Sequence, residues 1–177
     1  YHLKRNNLNK AYKLGKNFYN LASKYLELNI ILQSMKSEDI LSSGHSVSKC
    51  LFDSTDILDF GCNIGYLASF YSKIFKNSTV VGFDSSSIAI KLAKKLYDTK
   101  SYNNLSFSSD YNSIRKSNFD YIVDTQCLCT LSKYNLDKTL TNLYPLLRKE
   151  GKLVSISNLS NEKEAYSFIG SIVKKDF

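Results

Sequence analysis

The chain has 177 residues, 43% hydrophobic and 23% charged, and its 24 basic side chains outnumber 16 acidic ones for a net charge of +8. One Pro, seven Gly and 13% aromatic residues exclude disordered and fibrous classes, which need low hydrophobicity or a Gly/Pro excess. No apolar run approaches the ~20 residues that cross a bilayer, so no membrane span is expected.

The opening YHLKRNNLNK has no apolar core, so it does not read as a signal peptide, and a start at Tyr1 reads as a segment of something longer. Residues 1–50 hold eight basic and three acidic side chains, so the positive excess lies toward the N-terminus. A basic arm raises association with polyanions. Arg, which reads phosphates and bases bidentately, occurs only at Arg5, Arg115 and Arg148. Solvated lysines are therefore the plainer account, with nucleic acid kept as an alternative partner. Cys50, Cys62, Cys127 and Cys129 lack both C-x-x-C spacing and nearby His, so no metal site is expected. Unpaired thiols of this kind suit a reducing, cytoplasmic setting.

Residues 7–41 carry apolar positions at helical spacing (Leu8, Tyr12, Phe18, Leu21, Tyr25, Leu28) and predict one or two helices. They form an N-terminal helical arm or lid over 1–46, ahead of a core over 47–177. After the breaker SSGHS, residues 55–60 predict a short buried strand that runs into the turn GCNIG, with a helix from Ile64. VVGFD at 80–84 predicts a second strand, Ser85 to Ser87 a helix cap, and Ile88 to Leu96 a helix. A third strand follows at Leu105–Ser108, a short helix near 112–116 and a fourth strand at Phe119–Asp124. A helix from about Leu136 to Leu147, a fifth strand from Lys152 and a closing helix over 161–174 complete the pattern. Short apolar strands alternating with helices predict an α/β, doubly wound, mainly parallel sheet of about five strands, helices on both faces.

In such a sheet ligands sit beyond the carboxyl ends of the strands, where the winding reverses. The turn there is Asp59-Phe60-Gly61-Cys62-Asn63-Ile64-Gly65, which is not the G-x-G-x-x-G that cradles a pyrophosphate. Gly61 and Gly65 lack a Cβ and would let a ligand near the backbone, and Asn63 tolerates positive φ. Asp59 restricts the ligand: at ~6 Å a carboxylate would repel a phosphate charge by about 3 kcal/mol at an effective dielectric near 20, and would attract an ammonium equally. Asp84 ends the second strand, where a carboxylate accepts both ribose hydroxyls. Asp110 ends the third, placed to accept from an exocyclic amine, with Tyr111 beside it to stack on a base. An amino acid joined to a nucleoside without phosphate is S-adenosyl-L-methionine.

At these residues the chain resembles the class I S-adenosylmethionine-dependent methyltransferases over about 55–158. ILDFGCNIGYLA is similar to the family's first motif, VVGFDSSSIAIKLAKK to its second, SFSSD to its third, FDYIVDTQCLCTL to its fourth, and LYPLLRKEGKLVSIS to the segment entering strand five. The resemblance implies a Rossmann-like core and methyl transfer. By it Asp59, Gly61 and Gly65, with Cys62 and Asn63 between them, would hold the methionine portion. Asp84 with Ser85 would hold the ribose, Asp110 with Tyr111 the adenine, while Asp124 and Thr125 would line the reaction side.

The sequence departs from the family in three places. Asn63 stands where the middle glycine is usual. The fourth motif lacks the Asp/Asn-Pro-Pro-aromatic signature of enzymes that methylate exocyclic base amines, which argues against a DNA adenine acceptor. The family's last two strands have no counterpart before Phe177, so either the chain continues or the sheet has an open edge at strand five. Methyl transfer is an in-line displacement that chiefly needs alignment. Asp124 is the candidate general base, alternatively a ligand, a polar wall or a strand-end cap; His45 is a second candidate base.

Overall fold

The computed structural model describes residues 46–97 and 101–156. The helical arm, His45 and the closing helix expected at 161–174 lie outside the described residues. Five strands form one parallel sheet: β1 (Asp56–Phe60), β2 (Thr79–Phe83), β3 (Leu105–Ser108), β4 (Phe119–Thr125) and β5 (Leu147–Ile156). Their order is β3-β2-β1-β4-β5, so the winding reverses between β1 and β4. This is the Rossmann-like, doubly wound arrangement the alternating pattern predicts.

Side chains alternate along each strand, and the two faces bury separate cores. Ile57, Val80, Tyr121 and Val123 pack with Leu67, Ala68 and Tyr71 of α1 (Tyr66–Ile74) and with Ile90 and Ala93 of α2 (Ser87–Leu96). Leu58, Phe83 and Ile122 pack on the opposite face with Ile114 of α3 (Tyr111–Ile114). Leu136, Leu140 and Leu143 of α4 (Lys133–Leu143) cover the same face. Fully burying each such aliphatic contributes about 1.5–3 kcal/mol. Among the described residues no helix is long and apolar enough to cross a membrane.

Element ends differ from the expected ones for local reasons. α1 begins at Tyr66 rather than Ile64 because Asn63 and Gly65 are both left-handed, with φ of 50° and 82°. α2 is capped by Ser86, whose hydroxyl accepts the Ala89 N–H at 3.2 Å. α4 starts earlier, behind Ser132, and gives way at Tyr144 to a single 3-10 turn containing Pro145. β5 begins at Leu147, five residues before the expected start, with its register against β4 shifted between Phe119 and Tyr121. Gly151 sits in that irregularity because a Cβ there would come within 2.9 Å of the Phe119 carbonyl oxygen. At the amino ends of the strands, Arg148 pairs with both Asp56 and Asp120.

Candidate donor-binding site

The segment leaving β1 is stitched onto the end of β2. The Gly61 and Cys62 N–H groups both donate to the Phe83 carbonyl, at 2.8 and 2.9 Å, and the Gly65 N–H closes the turn on the Cys62 carbonyl at 2.8 Å. Gly61, Asn63 and Gly65 all have positive φ, so the sharpness of this turn rests on residues that reach that region at low cost.

Both glycines are also required by packing. A Cβ on Gly61 would lie 2.4 Å from the Cys127 Cβ, and one on Gly65 would lie 2.3 Å from the Phe107 ring, which also covers Gly82. The space that the missing Cβ atoms leave is taken by the chain's own side chains. Packing and positive φ together fix glycine at both positions.

Three carboxylates converge on this turn. Asp59, 2% exposed and the penultimate residue of β1, accepts the backbone N–H of Ala68, the third residue of α1. It thereby does the work of a cap for a helix whose N-cap, Gly65, has no side chain. Part of the amide charge at this helix end, expected to face a ligand, is thus spent inside the protein. Asp59 Oδ2 is buried without a hydrogen-bond partner. Burial, and then the neighbouring charges of Asp124 and Asp84, push the Asp59 carboxyl up to about 7.

Asp84 is half-buried, and each of its oxygens accepts a backbone N–H: Oδ2 from Asn63 at 2.9 Å and Oδ1 from Ser86 at 2.8 Å. A carboxylate oxygen has two acceptor positions, so both remain open to further donors. Asp124 is fully buried. Its Oδ1 accepts from the Cys127 and Leu128 N–H groups, both at 2.9 Å, and its Oδ2 accepts from the Ser155 hydroxyl at 2.6 Å. Burial raises its pKa against these bonds. This geometry builds Asp124 as the strand-end cap that holds the loop after β4 and ties it to β5.

The other expected residues are dispersed. Asp110 is exposed and caps α3, accepting the Asn112 N–H at 2.9 Å. The Tyr111 hydroxyl donates to the Asn142 carbonyl at 2.6 Å, and its ring stands edge-on to Phe83, so it is fixed by packing between α3 and α4. Ser85 is exposed, while the capping hydroxyl is that of Ser86. Cys62 is buried, with its thiol pushed up by burial and then by Asp59 and Asp84. Thr125 ends β4 with its Oγ1 buried. The structure adds Tyr71, Phe107 and Cys127. Cys127 packs over Gly61, and burial pushes its thiol up to about 12, which removes it as a nucleophile. The signal for Tyr71 in the sequence is a hydroxyl on the apolar face of an amphipathic helix.

The sequence profile of a methyltransferase domain matches residues 51–176. A putative methyltransferase, 235L of Invertebrate iridescent virus 6, is 24% identical over 120 residues, covering 68% of this chain and 43% of the viral protein. The structure of PKMT2 from Rickettsia typhi in complex with AdoHcy is 30% identical over 58% of this chain and 20% of that one, with a TM-score of 0.51. The [4+2]-cyclase SpnF has the same fold at a TM-score of 0.63 and 17% identity, covering 75% of this chain and 55% of that one. The chain thus spans less than half the length of the viral and rickettsial proteins.

Proposed function

The chain belongs to the methyltransferase-domain family, and on that premise we propose that it transfers the methyl group of S-adenosyl-L-methionine to a small-molecule acceptor. The observation that carries the reading is the buried, unpartnered Oδ2 of Asp59, whose charged neighbours are the carboxylates Asp124 and Asp84. Such a site favours a cation and rejects a phosphate. The donor brings an ammonium and no phosphate. The rickettsial protein with its bound AdoHcy supports the same class of ligand.

In this reading Asp59 and the Gly61–Gly65 turn hold the amino acid end, Asp84 accepts from the ribose hydroxyls, and Asp110 accepts from the adenine amine. The donor supplies a methyl group already activated by a sulfonium, so the chain needs to bind and orient. Asp124 keeps the wall after β4 in place, and Thr125 stands beside it at the strand end. The charge of +8 favours a second reading, an RNA or protein acceptor, in which substrate binding would weaken steeply with salt.

Calorimetric titration with S-adenosylmethionine, S-adenosylhomocysteine and NAD tests the proposal. Binding of the two adenosyl compounds and not of NAD is expected. No heat from either adenosyl compound at millimolar concentration would refute it.

A further inference from the structure

Asp59 and Thr125 lie on the same face of the sheet, because Asp59 pairs with Val123, two residues before Thr125 on β4. Tyr71, fully buried on α1, packs against that face. Its hydroxyl is influenced by Asp59 and steadied by Thr125, short of a well-formed hydrogen bond. Three buried polar atoms on this side of the sheet lack a well-formed hydrogen bond, Asp59 Oδ2, the Tyr71 hydroxyl and Thr125 Oγ1, and the Tyr71 hydroxyl is acted on by both of the others. Interiors tolerate few such atoms, and a set of three is the usual complement of one buried water. Nothing in a purely apolar packing account explains a tyrosine here, since phenylalanine would fill the same volume without burying a hydroxyl.

We propose that Tyr71 and Thr125 are positioning residues for Asp59, joined to its inner oxygen by one trapped water, and that they keep this carboxylate ionised and aimed for the donor. The water accepts the Tyr71 O–H and donates to one acceptor position of Asp59 Oδ2 and to Thr125 Oγ1, and the second acceptor position of Oδ2 is left for the donor's ammonium. The proposal rests on the reading of Asp59 as the group that meets the donor's ammonium. Among the described residues, every titratable group acting on Asp59 from the surrounding elements opposes its charge or is neutral. Asp84 comes from the end of β2, Asp124 from β4 and the Tyr71 phenol from α1, while the Cys62 and Cys127 thiols flank the turn. The Ala68 N–H bonds the same carboxylate. The hydroxyl-held water is the remaining group that favours the ionised form.

The test follows the Asp59 carboxyl by carbon-13 NMR from pH 5 to 9 in the full chain, with Asp59→Asn assigning the signal, alongside calorimetry with S-adenosylmethionine. Tyr71→Phe should raise the Asp59 midpoint by about one pH unit and weaken donor binding at pH 7 about fivefold, the deficit closing at pH 9. Thr125→Val should move both in the same direction, and Thr125→Ser should restore them. An unchanged midpoint in Tyr71→Phe and Thr125→Val, or an affinity loss equal at every pH, overturns the assignment. A midpoint that moves as stated in a chain binding no donor supports the Asp59 contact and refutes the proposed function instead.

Discussion

Asp84 and Asn63 are joined across the crevice: the backbone N–H of Asn63, at the apex of the turn after β1, donates to Asp84 Oδ2 at 2.9 Å. The other oxygen of Asp84 holds the Ser86 N–H at the start of α2. One side chain therefore fixes both the turn and the helix cap, and in the proposed function it also meets the ribose.

Two variants separate these duties. Asp84→Ala removes every acceptor and should weaken S-adenosylhomocysteine binding by about 1–3 kcal/mol, together with a fall in melting temperature. Asp84→Asn keeps the shape and one acceptor oxygen, so it should fall between Ala and the parent chain in both measurements. If calorimetry gave Asp84→Ala the parent affinity, the ribose assignment would be lost.

The glycines of the turn give a sharper contrast. Gly65→Ala drives a methyl into the end of the Phe107 ring and also forces a left-handed alanine. The double variant Gly65→Ala/Phe107→Leu should recover the steric part and leave the conformational cost of roughly 1–2 kcal/mol. Gly61→Ala meets the Cys127 Cβ itself at 2.4 Å, so Cys127→Ala should not rescue it. Urea denaturation of the four variants decides the matter. Equal rescue at both sites would mean that the two contacts are not what fixes glycine.

What could be read from the sequence was whatever depends on local pattern. Strand runs such as Ile57-Leu58 and Val80-Val81, and the strand-ending acids Asp59 and Asp84, declare the sheet and its carboxyl edge through periodicity and spacing. The partners of those acids could not be read. Asp124 is bonded to Ser155, 31 residues away, and Asp59 to the Ala68 amide under α1. Such contacts are set by how helices settle on the sheet. For the same reason Gly61 and Gly65 read as room for a ligand, whereas Cys127 and Phe107, distant in sequence, fill that room. The start of β5 was obscured because Arg148-Lys149-Glu150 reads as a polar loop, and only the Gly151 irregularity lets it continue the strand.

Asp59 gives stability a distinct pH dependence. Its carboxyl is pushed up to about 7 in the folded chain by burial first and by Asp124 and Asp84 after it, from an ordinary value of 3.8. The folded state therefore holds this proton more tightly than the unfolded state. The associated stability is fully present below about pH 4, declines as pH rises, and is lost once pH passes 7. The whole span is on the order of 4 kcal/mol. Asp59→Asn carries no such charge, so it should unfold at higher urea than the parent at pH 8.5 while differing little at pH 4. A parent and variant that lose stability equally between those two pH values would contradict a buried, titrating Asp59.

At the opposite edge of the sheet the sign reverses. Burial alone would raise Asp120, but its hydrogen bonds with Arg148 and the Asp56 N–H hold its carboxyl below the ordinary value. Stability from this group is present at neutral pH and is lost as pH falls through the lowered pKa, below about 4. Arg148 spans Asp56 at the start of β1 and Asp120 in β4 with two different guanidinium nitrogens, a geometry that an ammonium cannot copy. Arg148→Lys should therefore lower the melting temperature at pH 7 and flatten the acid limb. Because the fork sits at the amino ends of the strands and the three carboxylates at the carboxyl ends, donor affinity should stay at the parent value. A parallel loss of S-adenosylhomocysteine binding in calorimetry would show that the fork reaches the site through the strands and that the two ends of the sheet are not independent.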